Sequence, residues 1–181
     1  LNEKEEVNMT EQWGKEYMEA LEKRMGTYTE ENVLEQEPNS KIWFLRTLFA
    51  VYPDQSANVI IQSMAFQLKP DVPQVEIVVN ITNDAEDESM GELQKAIEEL
   101  NYISPVGAFG LRRNTNRVYL RNCWVLDGKK TIEELVHDTE IYYEMMMEGV
   151  QGAYDGLSKI WTGEMTFEET VEKSLLRKAV D

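Results

Sequence analysis

The chain has one cysteine and one histidine among its 181 residues. A lone Cys123 excludes an intrachain disulfide and fits a reducing compartment. With His137 as its only companion, there is no histidine or cysteine cluster and hence no zinc pattern. No stretch approaches the ~20 consecutive apolar residues of a membrane span. No glycine-rich phosphate loop and no Gly-x-Ser-x-Gly elbow occurs. Positive charge is scarce: 18 lysines and arginines face 34 acidic residues, for a net charge of −16. That balance argues against DNA, RNA and anionic membrane surfaces, all of which need clustered cations. Leu1 to Glu6 is polar and acidic, without a signal-peptide pattern, so a cytoplasmic protein is expected. A chain starting without methionine leaves room for a removed targeting segment.

A hydrophobic fraction of 42% is enough core for a single domain without a staple. Trp13, Tyr17, Ala20, Leu21 and Met25 recur at helical steps, predicting a helix over 8–26 with Asn8 and Glu11 as its capping start and Gly26 as its stop. Thr29 to Glu37 is acidic with few apolar anchors and reads as a short helix or an extended link. Three strands follow within 41–82. Ile42 to Val51 ends at the turn signal Tyr52-Pro53-Asp54. Asn58 to Leu68 is closed by Pro70 and Pro73. Val75, Ile77, Val79 and Ile81 then alternate with a more polar set. Connections this short favour antiparallel neighbours.

Ser89 with Glu92 reads as a capping box for a helix over 89–102, its inner face being Leu93, Ala96, Ile97 and Leu100. A hairpin follows over 107–126. Setting Leu111 opposite Leu120 and Phe109 opposite Asn122 places Phe109, Leu111, Val118, Leu120 and Trp124 on one buried face. Helices are expected over 131–178. Thr131 with Glu134 caps a long one that Gly149, Gly152 and Gly156 either weaken or bend, and Thr166 with Glu169 caps a last short one. The expected fold is thus α+β: a five-stranded, largely antiparallel sheet packed against helices, in one domain spanning 1–181. Both faces of the first two strands are apolar, through Trp43, Phe49, Met64 and Phe66. The four helices are therefore expected to sandwich the sheet, the other reading being one exposed apolar patch.

This order of elements, with Leu100-Asn101 ending the middle helix, the glycine-led strand Gly107-Ala108-Phe109-Gly110-Leu111 and the return strand Arg117-Val118-Tyr119-Leu120-Arg121, resembles the type III secretion chaperone-like fold. In particular it is similar to the YbjN-like proteins of bacteria. The architecture is matched over roughly residues 10 to 160, the local pattern only over about 100 to 126. The resemblance implies binding of a protein client on apolar surface, often by a dimer, and no catalytic set or cofactor.

Among the residues themselves, His137 beside Asp138 reads as an exposed polar helix position, and Cys123 as a small buried or half-buried thiol rather than one half of a dyad with it. Asp84, Glu86, Asp87 and Glu88 lack the sixth-position glycine and twelfth-position glutamate of a calcium loop, and read as a solvated turn before a helix. No metal site is therefore assigned. Arg112, Arg113, Arg117 and Arg121 concentrate four of seven arginines within ten residues. Arg112, Arg121 and Tyr119 share the non-core face. That face reads either as a docking surface for a carboxylate, an acidic peptide or a second copy, or as a solvent surface paired with the chain's own acids, the commoner outcome. Met145-Met146-Met147 cannot all face one way on a helix, so at least one should leave the core. Arg112, Tyr119, Arg121, Met145 and Met146 are thus the candidate partner-binding residues. The function expected is non-enzymatic protein binding, as a chaperone-like or regulatory adaptor. The alternative is a small-ligand sensor with an apolar pocket between the sheet and the C-terminal helix.

Overall fold

The structure is a computed structural model that describes the backbone of residues 3–26, 31–38, 40, 42–54, 56–69, 72–82 and 84–179. Side chains are described over the same residues except 3–11 and 67–69. Helix α1 (Glu3–Met25) leads into strands β1 (Glu31–Gln36), β2 (Trp43–Ala50), β3 (Asn58–Lys69) and β4 (Val72–Thr82). A turn of 3-10 helix opens α2 (Met90–Ile103). The hairpin β5 (Ala108–Arg112) and β6 (Arg117–Val125) follows, then α3 (Ile132–Trp161) and α4 (Phe167–Glu172). The fold is α+β, an open antiparallel sheet in the order β1-β2-β3-β4-β6-β5. It has six strands rather than five. The extra one is β1, within the stretch expected to be a short helix or an extended link; Glu-Asn-Val-Leu-Glu-Gln carries little β signal of its own and forms a strand by pairing with β2.

Period-two alternation is clearest in β4, where Val75, Ile77, Val79 and Ile81 are buried and the residues between them are half-buried. The same face takes Leu45 and Thr47 from β2, Val59, Ile61, Ser63 and Ala65 from β3, Phe109 from β5, and Val118 and Leu120 from β6. Helices α1, α2 and α3 close this face, and α4 packs on α2 and α3. Trp43 and Phe49 also point to it: Lys15 of α1 lies 5.5 Å over the Trp43 ring, and Phe49 meets Tyr143 and Met147 of α3 at one cavity wall. Two polar contacts fix the depth of α3. The Tyr143 hydroxyl bonds Ser63 Oγ in the buried interior, and the Tyr17 hydroxyl meets Thr139 Oγ1 at 2.6 Å. Burial pushes the Tyr143 phenol up to about 12 and moves Tyr17 the same way, so both stay neutral. The sandwich expectation fails here: among the described residues every helix lies on one side of the sheet.

The hairpin keeps the expected faces but not the expected register. Phe109 sits opposite Leu120 and Leu111 opposite Val118, two residues away from the predicted pairing. A slip of two preserves the face of every side chain, so hydrophobic patterning cannot detect it. The loop keeps four residues but lies one residue earlier, at 113–116, and it closes on Asn116, whose φ of 48° turns the chain and whose amide bonds the Ala85 carbonyl at 2.9 Å and Asp87 at 2.7 Å. Helix α3 runs unbroken through its three glycines. A Cβ on Gly156 would collide with Leu176, so this glycine lets the tail after α4 lie against α3.

The capping boxes at Thr131 with Glu134 and at Thr166 with Glu169 are both formed. The one expected at Ser89 is not, since Ser89 is itself helical in backbone and makes no cap bond. Glu92 instead accepts from Lys95 Nζ at 2.6 Å and from the Phe167 N–H of α4 at 2.9 Å. The Lys95 bond first, and the Phe167 N–H second, hold the Glu92 carboxyl below its ordinary 4.5. A depressed folded-state value means the stabilisation is complete above pH 4.5 and is lost as pH falls through the lower folded value. The stability gap between the wild-type chain and Glu92→Gln should therefore close on acidification below that point in thermal melts. A gap constant with pH would show that Glu92 does not tie α4 to α2.

Candidate interaction surface

The uncovered face of the sheet is built by the other half of each strand. Reading the registers across gives three rows. One is Glu31, Leu48, Ile60, Asn80, Tyr119 and Gly110; the next is Val33, Arg46, Gln62, Val78, Arg121 and Ala108; the third is Glu35, Phe44, Met64, Glu76 and Cys123. Phe66, Gln74 and Val125 start a fourth. Val33 and Ile60 are each 44% exposed and Val125 60%, although all three are strand residues. Phe44, Leu48, Met64, Phe66 and Val78 are half-buried by their neighbours alone. Leu48 and Ile60 adjoin across β2 and β3, as do Phe44 and Met64, with the polar pair Arg46 and Gln62 in the row between them.

The charges on this face are largely spent on each other. Arg121 makes a bidentate pair with Glu76 at 2.9 and 2.8 Å, and Arg46 pairs with Glu35 at 2.8 Å. The Glu76 bond holds the Arg121 guanidinium above its ordinary value. Six strands ~4.8 Å apart and four rows ~7 Å apart give a face on the order of 600 Å². That approaches the ~800 Å² each partner contributes to a standard interface.

The sequence-derived candidates divide. Arg112, Tyr119 and Arg121 do lie on the open face, with the Tyr119 ring laid across Gly110 where a Cβ would collide with it. Arg121 is taken by Glu76. Met145 is half-buried, and Met146 is a core residue at 1% exposure, on the side of α3 that faces the sheet, so it is not available to a partner. Cys123, expected to be at least half-buried, is exposed on the open face. Partial desolvation first, and Glu76 second, raise its thiol pKa, which disfavours the nucleophilic thiolate. His137 is on α3 across the sheet from it, 3.4 Å from Glu140, so the two do not meet. Among the described residues no group of three or more acids, histidines and cysteines is placed to hold a metal ion. None of their helices is long and apolar enough to cross a membrane. The open-face residues Phe44, Leu48, Ile60 and Val78 escaped the sequence reading. Apolar residues on both faces of β2 and β3 are compatible with helices on either side of the sheet, so they do not mark which face is open.

Compared with known proteins, the chain matches no family model, no curated protein and no solved structure.

Proposed function

We propose that this chain is a non-enzymatic protein-binding module, a chaperone-like or regulatory adaptor, whose open sheet face receives the apolar side chains of another polypeptide. The observation that carries the reading is the two apolar pairs Leu48–Ile60 and Phe44–Met64, flanked by Val33 and Val78, on a face that no described helix covers. Single exposed apolar residues are ordinary, whereas several of them on one uncovered sheet face point to a contact surface. The similarity to YbjN-like and type III secretion chaperone-like proteins belongs to the same proposal. It draws on the Asn101 and Gly107 pattern, with a cytoplasmic setting and a dimer as its further expectations. A photo-crosslinking phenylalanine analogue at Met64 or Val78 should join one polypeptide partner in vivo. The same analogue at Tyr102, 82% exposed on α2, should not. Equal yields from the two surfaces, or none from Met64 and Val78, would refute the assignment.

The sensor reading has one observation in its favour. A groove of about 420 Å³ lies between β5, α2, α3 and the C-terminal tail, lined by Leu100, Ile103, Phe109, Ala153 and Leu175. Its volume is within the ~300–1,000 Å³ typical of small-molecule sites. The cavity between Phe49 of the sheet and Met147 of α3 is smaller, about 230 Å³.

A further inference from the structure

We infer that the corner of the open face formed by Arg112 and Arg117 binds a carboxylate of the partner polypeptide, an acidic side chain in the segment seated on the sheet. The inference rests on the reading of that face as a protein-binding surface. Arg112 and Arg117 are directly opposed as the last pair of the hairpin, and their strand parity puts both on the open face beside Tyr119. Like charges directly opposed across a strand pair destabilise it unless something neutralises them. The chain has 34 carboxylates, and glutamates occupy Arg24, Arg46 and Arg121 at 2.6 to 2.8 Å. None reaches Arg112 or Arg117 among the described residues. The third cation of the turn, Arg113, is drawn away to Gln94 on α2.

The Arg117 Nε is buried and without a hydrogen-bond partner, so the donors this arginine can offer a docking carboxylate are its Nη groups. Two planar guanidiniums, each with five N–H donors, match the fork of a carboxylate. The flat Tyr119 ring over Gly110 offers the rest of an extended segment an apolar seat next to them. A carboxylate is favoured over a phosphate group because the field of a chain at −16 opposes a dianion about twice as strongly as a monoanion.

The test uses two blocked pentapeptides, acetyl-Val-Glu-Val-Glu-Val-amide and its glutamine counterpart, titrated at matched ionic strength into the full chain. The NMR signals of the arginine Nε–H groups are followed together with the backbone amides of Ile60 and Met64. The glutamate peptide should shift Arg112 and Arg117 saturably and leave Arg46 and Arg121 still. It should bind about tenfold tighter than the glutamine peptide, the scale of one charge-assisted contact. In Arg112→Gln/Arg117→Gln the two peptides should bind alike. Silence at Arg112 and Arg117, or a preference surviving in the double variant, overturns the inference. Inorganic phosphate binding tighter than the peptide overturns the choice of carboxylate. Arginine shifts without any movement at Ile60 and Met64 would leave the carboxylate site standing and remove the open-face reading. The reverse pattern would do the opposite.

Discussion

Ile61→Ala should cost about 3 kcal/mol of stability and lower the melting temperature by roughly 6–12 °C, while its neighbour Ile60→Lys shifts it far less. The two residues share one strand, but Ile61 is fully buried under the helices and Ile60 is 44% exposed on the other face. Truncating Ile61 leaves a cavity among Thr47, its partner on β2, and Val79, its partner on β4, both themselves buried. A lysine at position 60 stays in water in the free protein, so its cost is limited to the difference in strand preference, under about 1 kcal/mol. On docking, that ammonium must be desolvated between Leu48 and Asn80 without a carboxylate beside it. The loss is of order 3–4 kcal/mol, or a 100- to 1,000-fold weaker complex with the partner identified by crosslinking. Calorimetric melts and a binding isotherm on both variants decide the matter. Affinity retained in Ile60→Lys would mean that the open face does not bind, whatever the crosslinks report.

Which face was core could be read from the alternation in Val75 to Ile81, and the inner faces of α2 and α3 from helical spacing. Those features depend on local periodicity. What escaped depends on events distant in sequence. Whether Phe44 and Leu48 are covered depends on where α1 and α3 settle, and a two-sided apolar strand is compatible with either outcome. Ser89 and Glu92 have the spacing of a capping box, yet Glu92 is claimed by an N–H 75 residues away. The hairpin register turned on the left-handed Asn116, and β1 on its pairing with β2. Arg121 shows the same limit at the candidate site. Its place on the open face follows from parity, but its capture by Glu76 follows only from the β4–β6 register. No periodicity could separate it from Arg112, which no acid reaches among the described residues.

Asn101→Leu should destabilise the chain by about 2–3 kcal/mol even though position 101 is an exposed position at the end of α2. The Asn101 Oδ1 accepts from the Phe109 N–H at 2.7 Å, and its Nδ2 donates to the Phe109 carbonyl at 3.0 Å. The side-chain amide therefore stands where a seventh strand would, and caps the outer edge of β5 at Phe109. Leucine has nearly the same shape but leaves both backbone groups unpaired, so hydrogen exchange at the Phe109 amide should accelerate along with the loss of stability. Asn101→Asp separates the two bonds. Its carboxylate still accepts from the N–H but opposes the carbonyl, which raises its folded-state pKa. The destabilisation is then present at neutral pH and relieved as the acid protonates, so the deficit against wild type shrinks as pH approaches about 4. A deficit independent of pH would mean that the donor bond to Phe109 contributes nothing. With β5 capped in this way, β1, which among the described residues pairs only with β2, is the edge left for strand addition. If a partner adds a strand, protection from exchange should therefore appear in Glu31–Gln36 and not in Ala108–Arg112.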